Sequence, residues 1–170
     1  WKMQIPYLAR HGRVVTFDPP GNGRSDRPRE AAAYERSAMA DYAVAVLDAT
    51  EVERTIVVSW CDMGEWLILA VEHPERVSGL VFIAPAIPVH EREVPEFPFD
   101  EELDTDEGWA KENRQYWLRD WAGYVEFFIS QMFTEPHSTK QIEDAVGWGL
   151  ETDAETLLAG FSGWDTKEID

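Results

Sequence analysis

Apolar positions in the first half of the chain fall into short continuous runs separated by stretches of helical spacing. Arg13 to Asp18, carrying Val14, Val15 and Phe17, reads as a buried strand. Arg54 to Ser59 reads the same way through Thr55-Ile56-Val57-Val58, and Ser78 to Ala84 through Leu80-Val81-Phe82-Ile83. Between them, Ser37 to Ala49 repeats Met39, Tyr42, Ala43, Val46 and Leu47 at helical intervals. Gly64 to His73 is apolar nearly all round, which predicts a deeply buried helix. The first ten residues read as the end of an amphipathic helix with Trp1, Ile5 and Leu8 on one side, stopped at His11-Gly12. Alternation of helices with continuously apolar strands predicts a parallel sheet covered on both faces.

The pattern then changes. Residues 87–106 hold Pro88, Pro95 and Pro98 among many acids and read as a connector. From Asp106 onward the spacing is helical, over Trp109 to Leu118, Ala122 to Phe133 and Ser138 to Gly147. A further helix is expected at Thr152 to Ala159, capped by Thr152 or Asp153. The expected fold class is α/β: about three parallel strands with flanking helices over residues 1–88, a connector over 89–106, and a helical cap over 107–170.

Composition narrows the partners. A chain of 170 residues can bury one real core. Its formal net charge of −18 repels phosphate backbones and anionic lipid, so neither nucleic acid nor membrane is an expected partner. No apolar run is long enough to span a bilayer. The single cysteine, Cys61, excludes an internal disulfide and fits a reducing cytoplasm. The chain opens on Trp1 without a leader-like segment, and an N-terminal portion is expected to precede it. Five of the eight tryptophans, Trp109, Trp117, Trp121, Trp148 and Trp164, fall in the second half, where they line an apolar pocket or pack a helical layer. No H-x-x-x-H, C-x-x-C or phosphate-binding loop occurs, and Gly21-Asn22-Gly23 lacks the further glycine of a dinucleotide fingerprint, so no metal or cofactor is expected.

Three landmarks together resemble the α/β-hydrolase superfamily. The first is Val14-Val15-Thr16-Phe17-Asp18-Pro19-Pro20-Gly21-Asn22-Gly23-Arg24-Ser25-Asp26, similar to that family's strand and D-x-x-G-x-G-x-S turn. Its glycines permit tight reversal, and Asp18 and Ser25 can bond backbone groups in the turn, a structural role. The second is strand, sharp turn and helix from Thr55 to Arg76, ending in His73-Pro74-Glu75-Arg76-Val77. The third is the strand Gly79-Leu80-Val81-Phe82-Ile83-Ala84-Pro85-Ala86. Residues 132–138 and 147–153 are similar to the cap of a bacterial subgroup, some of whose members are fused to cyclase or regulatory domains. A fused regulatory domain is therefore an expectation of the resemblance.

The same resemblance implies a nucleophile in a G-x-S-x-G turn between strand and helix. Here the segment reads Val58-Ser59-Trp60-Cys61-Asp62-Met63-Gly64-Glu65-Trp66, and the consensus is absent. With Gly64 as the second glycine, Asp62 holds the nucleophile position, similar to haloalkane dehalogenases and epoxide hydrolases, whose aspartate attacks carbon to form an ester. Cys61 is the other candidate, since a thiolate at a helix N-terminus is favoured there. Ser59 falls slightly early. Counting back from His73-Pro74 puts Trp60 at the position, leaving no nucleophile. Each candidate also has a plain structural reading: Asp62 as a helix cap and Cys61 as a small buried apolar residue.

The family's catalytic histidine follows the last strands, and none of His11, His73, His90 and His137 takes its place convincingly. Asp104, Asp106, Asp153 and Asp165 qualify as the acid only by residue type. The expectation is thus a hydrolase of ester-like or related small apolar substrates in the full-length protein, with the 170 residues inactive alone. The alternative is a binding or sensor module that keeps a ligand pocket and has lost the chemistry. Unpaired sheet edges would further favour self-association.

Overall fold

A computed structural model describes residues 1–61, 64–85, 95–133 and 135–163. In chain order these form α1 (Gln4–Leu8), α2 (Arg36–Ala49), β1 (Thr55–Trp60), α3 (Gly64–Glu72), β2 (Val77–Ile83), α4 (Arg114–Arg119), α5 (Trp121–Met132), α6 (Thr139–Gly149) and α7 (Ala154–Gly163). Single 3₁₀ turns occupy Ala31–Tyr34 and Gly108–Lys111.

β1 and β2 pair in parallel, with Val57 opposite Leu80, Val58 opposite Val81 and Trp60 opposite Ile83. Parallel pairing needs a crossover, and α3 supplies it. The expected third strand at Arg13 to Asp18 is corrected: that run joins no ladder among the described residues. Its apolar side chains still find the core, since Phe17 packs against the cluster of Ala40, Ala43, Leu69 and Val77. A strand is made by its backbone partner, and side-chain burial alone does not provide one.

α2 buries Ala40, Ala43 and Leu47, a stripe at spacings of three and four that lies against α3. The expectation that α3 is buried all round is also corrected. Only Gly64 and Leu69 are fully buried, while Val71 is 75% exposed. The turn after α3 is fixed by Arg76, whose guanidinium donates to the carbonyls of Val52 and Glu53, each at 3.0 Å, and pairs with Asp48 at 2.8 Å.

The Asp18–Asp26 turn is self-bonded. Ser25 Oγ donates to the Asp18 carbonyl at 2.5 Å, and the Arg24 N–H donates to Asp18 Oδ2 at 3.1 Å. Gly21 adopts φ +85°, and a Cβ there would lie 2.9 Å from Tyr34 Cε1 and 3.0 Å from Thr156 Cγ2. This close approach docks α7 on the turn. Thr152 Oγ1 donates to the Gly21 carbonyl at 2.6 Å, and Arg27 donates to the Glu151 carbonyl. Of the two residues expected to cap the last helix, Asp153 caps it by accepting the Thr156 N–H at 2.7 Å, while Thr152 tethers it. Burial pushes the Asp153 carboxyl up, but the Thr156 N–H and the nearby Arg29 and Arg27 outweigh this and hold it below the ordinary carboxylate value.

The helical half is organised around Trp117, 1% exposed, whose ring meets Phe99, Trp121, Tyr124 and Phe161. Packing therefore accounts for Trp117 and Trp121, whereas Trp148 is half exposed. α5 and α6 approach closely where Gly149 meets Val125; a Cβ on Gly149 would lie 2.6 Å from Val125 Cγ1.

Candidate active site at the strand–helix elbow

In a parallel sheet, ligands bind outside the carboxyl ends of the strands. Here β1 ends at Trp60, β2 ends at Ile83, and the next residue on each, Cys61 and Ala84, has a positive φ, +71° and +47° respectively. Few non-glycine residues adopt this conformation, which carries strain of about 1–3 kcal/mol. The Cys61 N–H donates to the Ile83 carbonyl at 3.0 Å, extending the ladder one step beyond β1 before the chain turns. α3 then begins at Gly64, so the reversal from strand to helix takes three residues.

Two of the competing positions fall within the strand. Trp60 is the last residue of β1, paired with Ile83 and 59% exposed. Ser59 is opposite Phe82 and only 6% exposed, inside the sheet. Neither occupies the apex of the turn. Cys61, the first residue past the strand, has the left-handed backbone and an exposed free thiol, so the reading of Cys61 as a small buried apolar residue is corrected. Asp62 lies outside the described residues.

The other candidates disperse. His11 packs against Tyr7 in a tilted arrangement with ring centroids 5.1 Å apart, His73 Nδ1 lies 3.8 Å from Glu75 in the turn after α3, and His137 is exposed before α6. His90 and Asp165 lie outside the described residues. Asp106 pairs with Arg119 at 2.6 Å, Asp153 is a helix cap, and Asp104 is exposed. Among the described residues, no histidine or carboxylate hydrogen-bonds Cys61, no group of side chains is suited to a metal ion, and no helix is long and apolar enough to cross a membrane.

A residue that sequence reading missed lies beside the elbow. Arg36 opens α2, and its side chain crosses the first residue of α3. A Cβ on Gly64 would lie 2.6 Å from Arg36 Nε and 2.8 Å from its Cδ and Cζ. Nothing in the local sequence signals this, because 28 positions separate the two residues and no shared motif links them. Away from the elbow, Phe97, Phe99, Trp109, Glu112 and Phe161 line a cavity of about 260 Å³ in the helical half.

Residues 1–134 match the family model described as the alpha/beta hydrolase fold. The chain is similar to 2-hydroxymuconate semialdehyde hydrolase of Pseudomonas sp. (strain CF600), 42% identical over 87 residues, which are 51% of this chain and 30% of that protein. It is also similar to epoxide hydrolase B of Mycobacterium tuberculosis (strain H37Rv), 38% identical over 112 residues, covering 62% of this chain and 31% of that protein. The matches therefore span under a third of these curated relatives. Among solved structures, an esterase from Exiguobacterium antarcticum superposes with a TM-score of 0.72 at 18% identity, over 96% of this chain and 60% of that one. A bromoperoxidase from Bacillus anthracis gives 0.70 at 19% identity, with the same coverage of each chain. With the parallel strands, the crossover helix and the strained elbow all in place, the chain belongs to the α/β-hydrolase fold family.

Proposed function

We propose that this chain carries the nucleophile elbow of a hydrolase acting on ester-like substrates, with Cys61 as the nucleophile. The observation that supports this reading is the left-handed backbone of Cys61 at the end of β1, directly ahead of α3. A side chain at such an apex projects away from both elements, which is what an attacking atom needs. The hydrolytic activities named for the similar semialdehyde and epoxide hydrolases support the same class.

In this mechanism the Cys61 thiolate attacks the acyl carbon and forms a C–S bond, while the carbonyl electron pair moves onto oxygen. Collapse of that intermediate expels the alcohol, which takes up a proton, and leaves a thioester on Cys61. Water attacks the thioester, releasing the acid and restoring the thiol. Backbone N–H groups at the start of α3 are suited to stabilise the developing negative charge. A general base must accept the thiol proton. Because no described histidine reaches Cys61, the 170 residues alone are proposed to be inactive, with turnover confined to the full-length protein. That lack of a base among the described residues also favours the second reading, a ligand-binding module without chemistry. A fused regulatory domain and a cytoplasmic location remain part of the proposal.

The test compares full-length wild type with Cys61→Ala and Asp62→Asn on an activated aryl ester, using burst kinetics and peptide mass spectrometry. The expected result is an acyl adduct on the Cys61 peptide and a loss of about 10³-fold or more in kcat for Cys61→Ala. An acyl adduct on Asp62, with Cys61→Ala still active, moves the nucleophile one residue along and replaces the thioester by a mixed anhydride formed as the phenoxide leaves. Absence of any adduct on the active-site peptide would leave the binding module as the surviving reading.

A further inference from the structure

We propose that Arg36 is a specificity-determining residue of the elbow, binding a carboxylate that the substrate carries a few atoms from its scissile acyl bond. This rests on the elbow being a substrate site, as argued above, and adds the class of substrate.

The first support is position. The Arg36 stem and guanidinium lie against Gly64, so close that any side chain at 64 would have to displace them. Gly64 is three residues beyond Cys61, which limits their Cα separation to about 11 Å even for a fully extended chain. The Arg36 side chain therefore lies against the first residue of α3, three positions past Cys61.

The second support is the state of the charge. The chain has 33 acidic residues against 15 lysines and arginines, so carboxylates are abundant for any arginine that needs one. The other half-buried arginines have them: Arg76 pairs with Asp48 at 2.8 Å, and Arg114 pairs with Asp100 at 2.5 Å. Arg36 is half-buried as well, yet makes no ion pair and no side-chain hydrogen bond among the described residues. Partial burial removes water from a group with five N–H donors, and the lost hydration is recovered only by acceptors. A planar fork of donors matches the two oxygens of a carboxylate. A phosphoryl group carries more charge and would call for more than one cation.

The third support is electrostatic contrast. A net charge of −18 repels anions over the surface as a whole, so selection for an anionic substrate needs a local cation at the site itself. Arg36 supplies it. The neutral acyl chain and the charged end of such a substrate would then be held at separate points, which orients the ester toward Cys61.

The experiment uses the full-length protein and two esters that differ only at the far end, mono-(4-nitrophenyl) adipate and its terminal amide. Wild type is expected to favour the carboxylate ester by about tenfold or more in kcat/KM, the size of a charge-assisted contact. In Arg36→Gln this ratio should fall to near one, and Arg36→Lys should recover part of it. A merely structural role would lower both rates and leave the ratio, and an unchanged ratio in Arg36→Gln overturns the proposal. A second measurement does not depend on turnover: calorimetric titration with hexanoate and with hexanamide. Hexanoate binding that is lost in Arg36→Gln, with hexanamide not bound, supports the carboxylate site even if every variant is catalytically silent and the hydrolase reading has failed. Equal hexanoate affinity in wild type and Arg36→Gln, or none in either, overturns it.

Discussion

A cysteine at φ +71° is held there by its surroundings: the ladder bond to Ile83 on one side and the start of α3 at Gly64 on the other. At the scale of single residues, Cys61 was legible as a candidate because a lone thiol between a β-branched run and an apolar helix fits an elbow. Arg36 was not legible. Its significance comes from a contact with Gly64, and one arginine at the start of a helix carries no pattern. The contact also makes a prediction. In Gly64→Ala the three atoms nearest the new methyl all belong to the side chain of Arg36, which can swing away, so the fold should tolerate it. Urea denaturation is expected to show a stability change within about 1 kcal/mol, the size of a glycine-to-alanine helix preference. The carboxylate-to-amide ratio in the paired ester assay should nevertheless fall toward that of Arg36→Gln. Full retention of the ratio would show that the position of Arg36 against Gly64 does not matter for recognition.

Element by element, boundaries follow local chemistry where a cap or a staple is present. α4 begins where Asn113, 3% exposed, accepts the N–H groups of Gln115 and Tyr116. Its amide also donates to the carbonyls of Pro98, Phe99 and Glu101 at 2.8–3.1 Å. One buried side chain therefore both starts a helix and binds part of the segment read from sequence as a connector. Asn113→Ala should lower stability by about 2–4 kcal/mol, combining loss of a cap with carbonyls left unsatisfied in the interior. Chemical denaturation checks this, and a loss under about 1 kcal/mol would mean that water replaces the amide. α5 begins in the same manner, with Asp120 accepting the Gly123 N–H at 2.9 Å; that bond, aided by the Tyr116 hydroxyl, holds its carboxyl below the ordinary value. The sequence pattern placed these helices well but merged the 3₁₀ turn at Gly108–Lys111 with α4, since Trp109, Tyr116 and Trp117 keep helical spacing across the break. It also overrated the burial of α3, because apolar residues all round a helix state what it would prefer to cover and do not supply neighbours for every face.

For the molecule as a whole, the important feature is one face of the short sheet. Ile56, Val58 and Trp60 on β1 alternate toward the same side as Val81 and Ile83 on β2, which lie opposite Val58 and Trp60, and all are between 39% and 61% exposed. A contiguous apolar surface of this kind favours association. The 170-residue chain is expected to bind an anilinonaphthalene sulfonate dye and to show a sedimentation mass that rises with concentration. Val58→Lys with Val81→Glu should reduce both effects. A strictly monomeric chain that ignores the dye would show that this face is not sticky enough to matter.

Hydrophobic periodicity by itself determined the succession of β1, α3 and β2 and the helices of the second half, because burial imposes a period of two or about 3.6 on any chain that folds. The internal bonds of the Asp18–Asp26 turn were likewise local and close within a few residues, whereas Arg76 holds the turn after α3 through the distant Val52, Glu53 and Asp48. Pairing was not local. Whether the run at 13–18 becomes a strand depends on a backbone partner elsewhere in the chain, and here the described residues offer it none. The elbow shows the same division. Sequence left Ser59, Trp60, Cys61 and Asp62 in competition, since any of them could follow a β-branched run. The register of β1 against β2 places Ser59 and Trp60 within the strand and gives Cys61, the first residue past it, a left-handed backbone, while Asp62 lies outside the described residues.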